Sequence, residues 1–320
     1  MSQHDVVLVG VDGSAAALHA LDWAVVRAKR LGWKLHIVCA YSLPSFSAAS
    51  LDGGYAALDD SAIHQGAQSV LDEATERVKN CGVPVTSSLE TGDAAGVLVE
   101  LSKNAGLAVV GTGGYGGITE RLLGTVSSAL PAHAHCPTVV VPLRTPEGAE
   151  VEDDDPIPEV RRTRRVVVGV DGSPPAESAL TRAVSEAALW DAELTIVTGV
   201  PVGSGASILG WLPASIDREQ VLADVAAGLD VVVDRVAKDH PNVKIRRHVL
   251  DGTGASLLTE FSTAVDLIVV GSRGRGGFAG MLLGSTSQTV LNHAVCPVMV
   301  VTTRVDGEDL HPTAVAQGSN

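Results

Sequence analysis

Two stretches of the chain have the residue types and spacing to hold a phosphate. Gly111–Ser127 reads GTGGYGGITERLLGTVS, and Gly271–Ser287 reads GSRGRGGFAGMLLGSTS. In each, two residues separate a first glycine from a second, and nine separate the second from a third that stands beside a hydroxyl residue. The positions are Gly111, Gly114, Gly124 and Thr125, then Gly271, Gly274, Gly284 and Ser285. An apolar run precedes each stretch (Leu107–Val110, Leu267–Val270), and a helix-like segment follows. A glycine-rich loop entering a helix turns backbone N–H groups and the positive end of the helix dipole toward one point, which suits an anion. Gly114 and Gly274 would let the backbone approach that anion or take a positive φ. Arg273 and Arg275 add charge able to grip terminal phosphates. The first stretch has Gly113 and Tyr115 in their place, and its nearby arginine is Arg121. The second stretch is therefore the expected tighter site.

Other templates fit these glycines less well. A P-loop needs a Gly-Lys pair, and the chain has none. Gly111–Gly116 matches the dinucleotide fingerprint, but that motif belongs after the first strand of a unit, with an acidic residue about 20 positions on. Here the glycines follow the fourth strand, and no Asp or Glu lies between Gly280 and Val305. His133 with Cys136 and His293 with Cys296 invite a metal, yet three or four converging ligands are not in view. A histidine at a helix end before a strand is the simpler account. No metal site is expected from the protein alone.

The elements that must position the loops repeat. Val6–Val11 ends in Asp12-Gly13-Ser14, and Val166–Val170 ends in Asp171-Gly172-Ser173. Continuous β-branched runs predict strands buried on both faces, and Asp-Gly-Ser supplies a turn and a helix cap. Ala17, Leu21, Ala24, Val25 and Ala28 form an apolar helical face that Ala176, Leu180, Ala183, Val184 and Ala187 repeat. Second strands are predicted at Leu35–Ala40 and Leu194–Gly199, third strands at Val83–Leu89 and Val243–Leu250, and third helices at Ala94–Asn104 and Ala255–Thr263. Cys136-Pro137 and Cys296-Pro297 lead into fifth strands, and nearly half the positions of Gly111–Val141 are identical to those of Gly271–Val301. The chain is a tandem duplication of a β-α-β-α-β-α-β-α-β unit. Such alternation predicts two doubly wound, five-stranded parallel sheets with right-handed crossovers. In the order 3-2-1-4-5, strands one and four are neighbours at the reversal, where ligands bind. That order brings each glycine loop beside an Asp-Gly-Ser turn. The predicted boundaries are 1–143 for the first domain, 144–163 for a linker, 164–304 for the second domain and 305–320 for a loose tail. The linker carries prolines, an acidic run and then arginines, which reads as solvated charge.

With 45% apolar and 19% charged residues the chain is globular, and with 3% aromatics its cores must be built from Val, Leu, Ile and Ala. A net charge of −14 argues against a general nucleic-acid or anionic-membrane binder, though not against a small anion held by local dipoles. No apolar run approaches a membrane span, the N-terminus shows no leader pattern, and the four cysteines form no CxxC pair. A cytoplasmic protein with reduced thiols is expected.

The two copies of Gly-x2-Gly-x9-Gly-[Ser/Thr], each between a strand and a helix, resemble the signature of the ATP-binding universal stress proteins. The resemblance covers about residues 5–143 and 164–303. It implies a Rossmann-like, adenine nucleotide α-hydrolase-like fold with ATP, and Mg on that ATP, in each copy. By position it places Gly10, Val11 and Asp12, and Gly169, Val170 and Asp171, at the end of strand one near ribose and metal. Cys39 and Thr198 take the place whose backbone meets adenine. The triphosphate would lie among Gly111, Gly113, Gly114, Gly116, Gly117 and Arg121, then Gly124, Thr125 and Val126. In the second copy it would lie among Gly271, Ser272, Arg273, Gly274 and Arg275, with Gly276 and Gly277, then Gly284, Ser285, Thr286 and Ser287. Copy one departs from the pattern in Thr112-Gly113 and in Pro131 within its fourth helix. The family pairs domains through the fifth strand, so the resemblance implies pairing of the two copies within one chain, and homodimers of chains. The function implied is nucleotide-dependent regulation of a stress or growth state through a protein partner. The alternatives are a slow ATPase or phosphotransferase using the same pocket, with Asp12 or Asp171 orienting metal or water, and a chaperone-like scaffold in which ATP is structural.

Overall fold

The computed structural model of the chain describes residues 4–43, 60–113, 123–143, 163–202, 217–274 and 283–302. Apart from Thr163, the predicted linker and tail lie outside them. The first half runs β1 (Val6–Val11), α1 (Ala15–Leu31), β2 (Lys34–Tyr41), α2 (Asp60–Val78), β3 (Val85–Thr91), α3 (Ala94–Leu101), β4 (Leu107–Gly111), α4 (Thr125–His133) and β5 (Thr138–Val141). The second half repeats it as β6 (Arg165–Gly169), α5 (Pro174–Trp190), β7 (Glu193–Val200), α6 (Arg218–Asp239), β8 (Lys244–Asp251), α7 (Gly254–Phe261), β9 (Leu267–Gly271), α8 (Ser285–His293) and β10 (Val298–Val301).

All ten strands join one sheet in the order β3-β2-β1-β4-β5-β10-β9-β6-β7-β8, so each half has the expected order 3-2-1-4-5. Every neighbouring pair is parallel except β5 and β10, which join the halves antiparallel with Val139 opposite Met299. Because the central strands are buried on both faces, they are runs of Val, Ile and Leu rather than alternating sequences. Val7, Val9, Leu35, Ile37, Leu107 and Val109 point to the face covered by α1, α2, α5 and α6. Leu8, Val38, Ala108 and Val110 point to the face covered by α3, α4, α7 and α8, where Leu98 and Leu130 join the same core and Leu258 is the counterpart of Leu98 in the second half.

Local signals set the helix ends. Ser14 accepts from Ala17 N at 3.2 Å to start α1, and Gly32, at φ 69°, ends it. Ser173 caps α5 in the same way, which closes on Asp191 at φ 53°. Most boundaries fall within one or two residues of expectation, and two of the differences have a visible cause. The third strand begins at Val85 rather than Val83, because the chain is still turning at Gly82, with φ 77°. The third helix stops at Leu101 and tightens into a short 3-10 turn over Ser102–Asn104. There the Ser102 hydroxyl donates to Val99 O (2.6 Å) and accepts from His135 N (2.9 Å), tying the helix end to the start of β5. Pro131 does not break α4: Ala134 N still donates to Leu130 O at 2.9 Å beyond it.

Candidate functional site

The sheet order makes β1 and β4 neighbours, and likewise β6 and β9, so the Asp-Gly-Ser turns and glycine loops leave adjacent strands. In the second half a cleft of about 430 Å3 opens there, between Asp171, the Gly271–Gly274 segment and the start of α8.

The Asp171 carboxylate is fixed before any ligand arrives. Its Oδ1 accepts from Ser173 N (3.0 Å) and Ser173 Oγ (2.6 Å), across a turn made possible by Gly172 at φ 76°. Its Oδ2 faces the glycine loop: a Cβ on Gly274 would stand 2.6 Å from it. Gly274 is therefore needed for close approach and does not have a positive φ. In the first half Asp12 Oδ1 accepts from Ser14 N and Oγ at 3.0 and 2.6 Å, and Ser14 Oγ reaches Gly113 O at 3.4 Å. Turn and loop thus touch in both halves.

The remaining signature residues divide by task. A Cβ on Gly111 or Gly271 would lie 2.6 Å from Ala16 O or 2.7 Å from Pro175 O, so these glycines let a strand end pass under a helix start. Gly10 and Gly169 likewise make room for Leu98 and Leu258, each 2.7 Å from where the Cβ would be. Gly124 N and Gly284 N close the loops on Thr112 O (2.9 Å) and Ser272 O (2.7 Å). Ser287 Oγ donates to Gly271 O at 2.6 Å and Ser127 Oγ to Thr112 O at 3.0 Å, which uses these hydroxyls to anchor the helix start.

The helix starts are the main electrostatic feature. α1, α3, α5, α6 and α7 are each capped by a Ser, Asp or Thr side chain. α4 and α8 begin at Gly124 and Gly284 with no side-chain cap. The first intrahelical bond of α8 is Gln288 N to Gly284 O, and that of α4 is Ser128 N to Gly124 O. The amides of Ser285, Thr286 and Ser287, and of Thr125, Val126 and Ser127, precede those bonds and face the cleft end of the helix. Arg273 stands exposed at the cleft mouth in the second half. Backbone donors, an arginine and a fixed carboxylate suit a polyphosphate with a hard divalent cation.

Cys39 sits beside Val11 in the β1–β2 register, and burial, with Asp12 nearby, pushes its thiol pKa up. Thr198 Oγ donates to Val170 O at 2.9 Å, and its neighbours Val197 and Gly199 line the cleft. Gly114, Gly116, Gly117, Arg121, Arg275, Gly276 and Gly277 lie outside the described residues. Sequence reasoning missed Gly199, Gly254 and Leu258 as lining residues. The available signal was the replacement of Ala40 and Ala94 by glycine at equivalent positions of the second copy. A Cβ on Gly199 would stand 2.7 Å from Gly254 N, so the exchange brings β7 and α7 together at the back of the cleft. His293 Nδ1 lies 2.8 Å from Thr289 O at its helix end. Among the described residues no three His, Cys, Asp or Glu side chains cluster, and none of the four cysteines is in a disulfide.

The model of the universal stress protein family matches residues 4–142 and, a second time, residues 162–302. The chain belongs to the universal stress protein family. A universal stress protein of Mycobacterium tuberculosis strain H37Rv is 36% identical over 309 residues, covering 92% of this chain and 95% of the relative. One from Mycolicibacterium smegmatis is 32% identical over 308 residues, covering 93% and 97%. The crystal structure of a universal stress protein from Archaeoglobus fulgidus superposes with a TM-score of 0.67 at 20% identity, covering 94% of this chain and 99% of that one. That similarity bears on the fold alone. Both tandem halves are thus universal stress protein domains. No helix among the described residues is long and apolar enough to cross a membrane.

Proposed function

We propose that this universal stress protein is an ATP-binding regulator whose tighter site is in the second half. The observation that carries the proposal is the uncapped start of α8 facing a carboxylate that is held against the glycine loop at Gly274. The amides of Ser285–Ser287 and Arg273 would hold the phosphates, and Asp171 would hold a magnesium ion shared with them. The metal would supply neutralisation of phosphate charge. Val197 and Gly199 would pack at the base, beyond the ends of the strands. Occupancy would reorder the cleft mouth and so alter a surface read by a protein partner in the cytoplasm. Chains would pair as homodimers through surfaces other than the β5–β10 junction, which is filled within one chain.

Mass spectrometry of the denatured, purified protein measures co-purifying nucleotide and its stoichiometry. Bound ATP, or calorimetric titration with MgATP at one tight site per chain, is the expected result. Protein free of nucleotide that also gives no heat with ATP refutes the proposal. Slow hydrolysis in the same cleft is the second reading, favoured by the fixed orientation of Asp171. Single-turnover hydrolysis above background that vanishes in Asp171→Ala would select it. A purely structural nucleotide would raise the melting temperature without changing any partner contact.

A further inference from the structure

Equivalent positions of the two copies meet at the junction between the halves. Val139 pairs with Met299 in the β5–β10 ladder. Arg27 bonds Glu186, and Arg30 Nε donates to Leu189 O at 2.8 Å; both pairs are 159 residues apart, the repeat offset of α1 and α5. These contacts lie on or beside a local twofold axis. In a symmetric association of identical domains, a residue on such an axis meets its own copy. Here the partners differ in charge and size. Arg27 faces the Glu186 carboxylate, with each side chain 1% exposed. Arg27 and Arg30 lie 5.7 and 5.9 Å from the centre of the Trp190 ring, whose counterpart in the first half is Leu31. Val139, fully buried, meets the larger Met299.

The pair is poorly built as a source of stability. Removing both charges from water is costly, and their attraction offsets that only with full hydrogen bonding. Arg27 Nε and Nη1 and Glu186 Oε2 have no hydrogen-bond partner among the described residues. Burial lowers the Arg27 pKa only to about 10, with Glu186 opposing the shift, so the guanidinium keeps its charge at neutral pH. Arg182 Nε, 2.9 Å from Glu186 Oε1 on the same helix, is a second cation at that carboxylate and adds to the lowering of the Arg27 pKa. The pair is well built for discrimination. Two first halves would bury Arg27 against Arg27 with no carboxylate between them, and two second halves would set Glu186 against Glu186, each with Arg182 of its own helix and neither with Arg27. Each arrangement leaves like charges in an apolar junction.

We propose that Arg27 and Glu186 restrict the α1–α5 junction to unlike halves, so that each half accepts as its partner only the other half of this chain type. Symmetric pairing of like halves between chains is excluded, while exchange of a first half for that of another chain is not.

The test uses the full chain with Arg27→Glu, Glu186→Arg and the double reversal, followed by urea unfolding. Each single reversal is expected to raise the unfolding equilibrium constant roughly 100-fold, and the double reversal to recover most of the lost stability. Co-refolding equal amounts of R27E and E186R chains gives every half an oppositely charged partner in the other chain. That mixture is expected to be more stable than either variant alone, with a midpoint that rises with protein concentration. A double reversal as unstable as the worse single, or a mixture that unfolds as the sum of its parts, overturns the proposal. Should either single variant fail to fold, the double reversal and the co-refolded mixture still decide.

Discussion

In the first half Gly111 lies against Ala16 O, Gly10 against Leu98 and Ser127 against Thr112 O. In the second, Gly271 lies against Pro175 O, Gly169 against Leu258 and Ser287 against Gly271 O. The glycine contacts match nearly atom for atom, and the serine hydroxyls bond carbonyls one residue apart in the repeat. The halves diverge where a ligand would touch them. Arg273 replaces Gly113, Gly199 and Gly254 replace Ala40 and Ala94, and Thr198 replaces Cys39. What stayed constant after the duplication is what the βα unit needs in order to pack. What changed includes the cleft surface as well as the junction between the halves, so the two clefts present different side chains.

Six substitutions, taken in four steps, can break or sharpen that comparison. The largest effect is expected from Gly111→Ala and Gly271→Ala, whose new methyls would stand 2.6 and 2.7 Å from backbone oxygens that cannot swing aside. Each should lose about 3 kcal/mol of stability in urea unfolding. A large loss in one half with none in the other would show that the frames are not equivalent. Gly274→Ala comes next. Its methyl displaces the Asp171 carboxylate, which should weaken MgATP binding by about 2 kcal/mol in calorimetry while leaving the unfolding midpoint of ligand-free protein in place. Wild-type affinity would put the phosphate elsewhere. Third, no described residue stands within 4 Å of a Cβ built on Gly113, so Gly113→Arg should fit and strengthen the first site, and Arg273→Gly should weaken the second, each roughly tenfold.

The smallest effect concerns His36, which has Thr195 as its counterpart. Burial lowers its pKa below 6.5, and its ring nitrogens lie 2.9 Å from Thr86 Oγ1 and 3.2 Å from Ser88 Oγ. Below that pH the unfolded chain takes up a proton that the folded chain resists. Stability is therefore full above about pH 6.5 and declines as pH falls. His36→Thr should flatten that decline in unfolding measured at pH 7.5 and at about pH 5.5. An unchanged slope would move the acid sensitivity to another group.

Much of this was legible in the residues. β-branched runs marked the strands, Ser14 and Ser173 in their Asp-Gly-Ser turns marked helix starts, and the order 3-2-1-4-5 expected of such a unit held in both copies. The glycine spacing located the loop, but not which glycine serves packing and which serves the cleft. That distinction depends on which atoms sit opposite each Cβ, and those atoms are distant in sequence: Pro175 O for Gly271, Asp171 Oδ2 for Gly274. Arg27 and Glu186 were illegible for a related reason. A charged residue on an amphipathic helix normally faces water, and only the antiparallel meeting of β5 and β10 carries α1 onto α5 and buries both.

That antiparallel junction has a further consequence. Within each half the strands run one way, and at β5–β10 the direction reverses, so the carboxyl ends of the two strand sets lie at opposite rims of the sheet. The molecule has two poles. A ligand at one pole cannot touch a ligand at the other, and the halves between them are joined by the ladder from β4 through β5 and β10 to β9 and by the α1–α5 contacts. A partner that responds to both poles must be as wide as the sheet or dock twice.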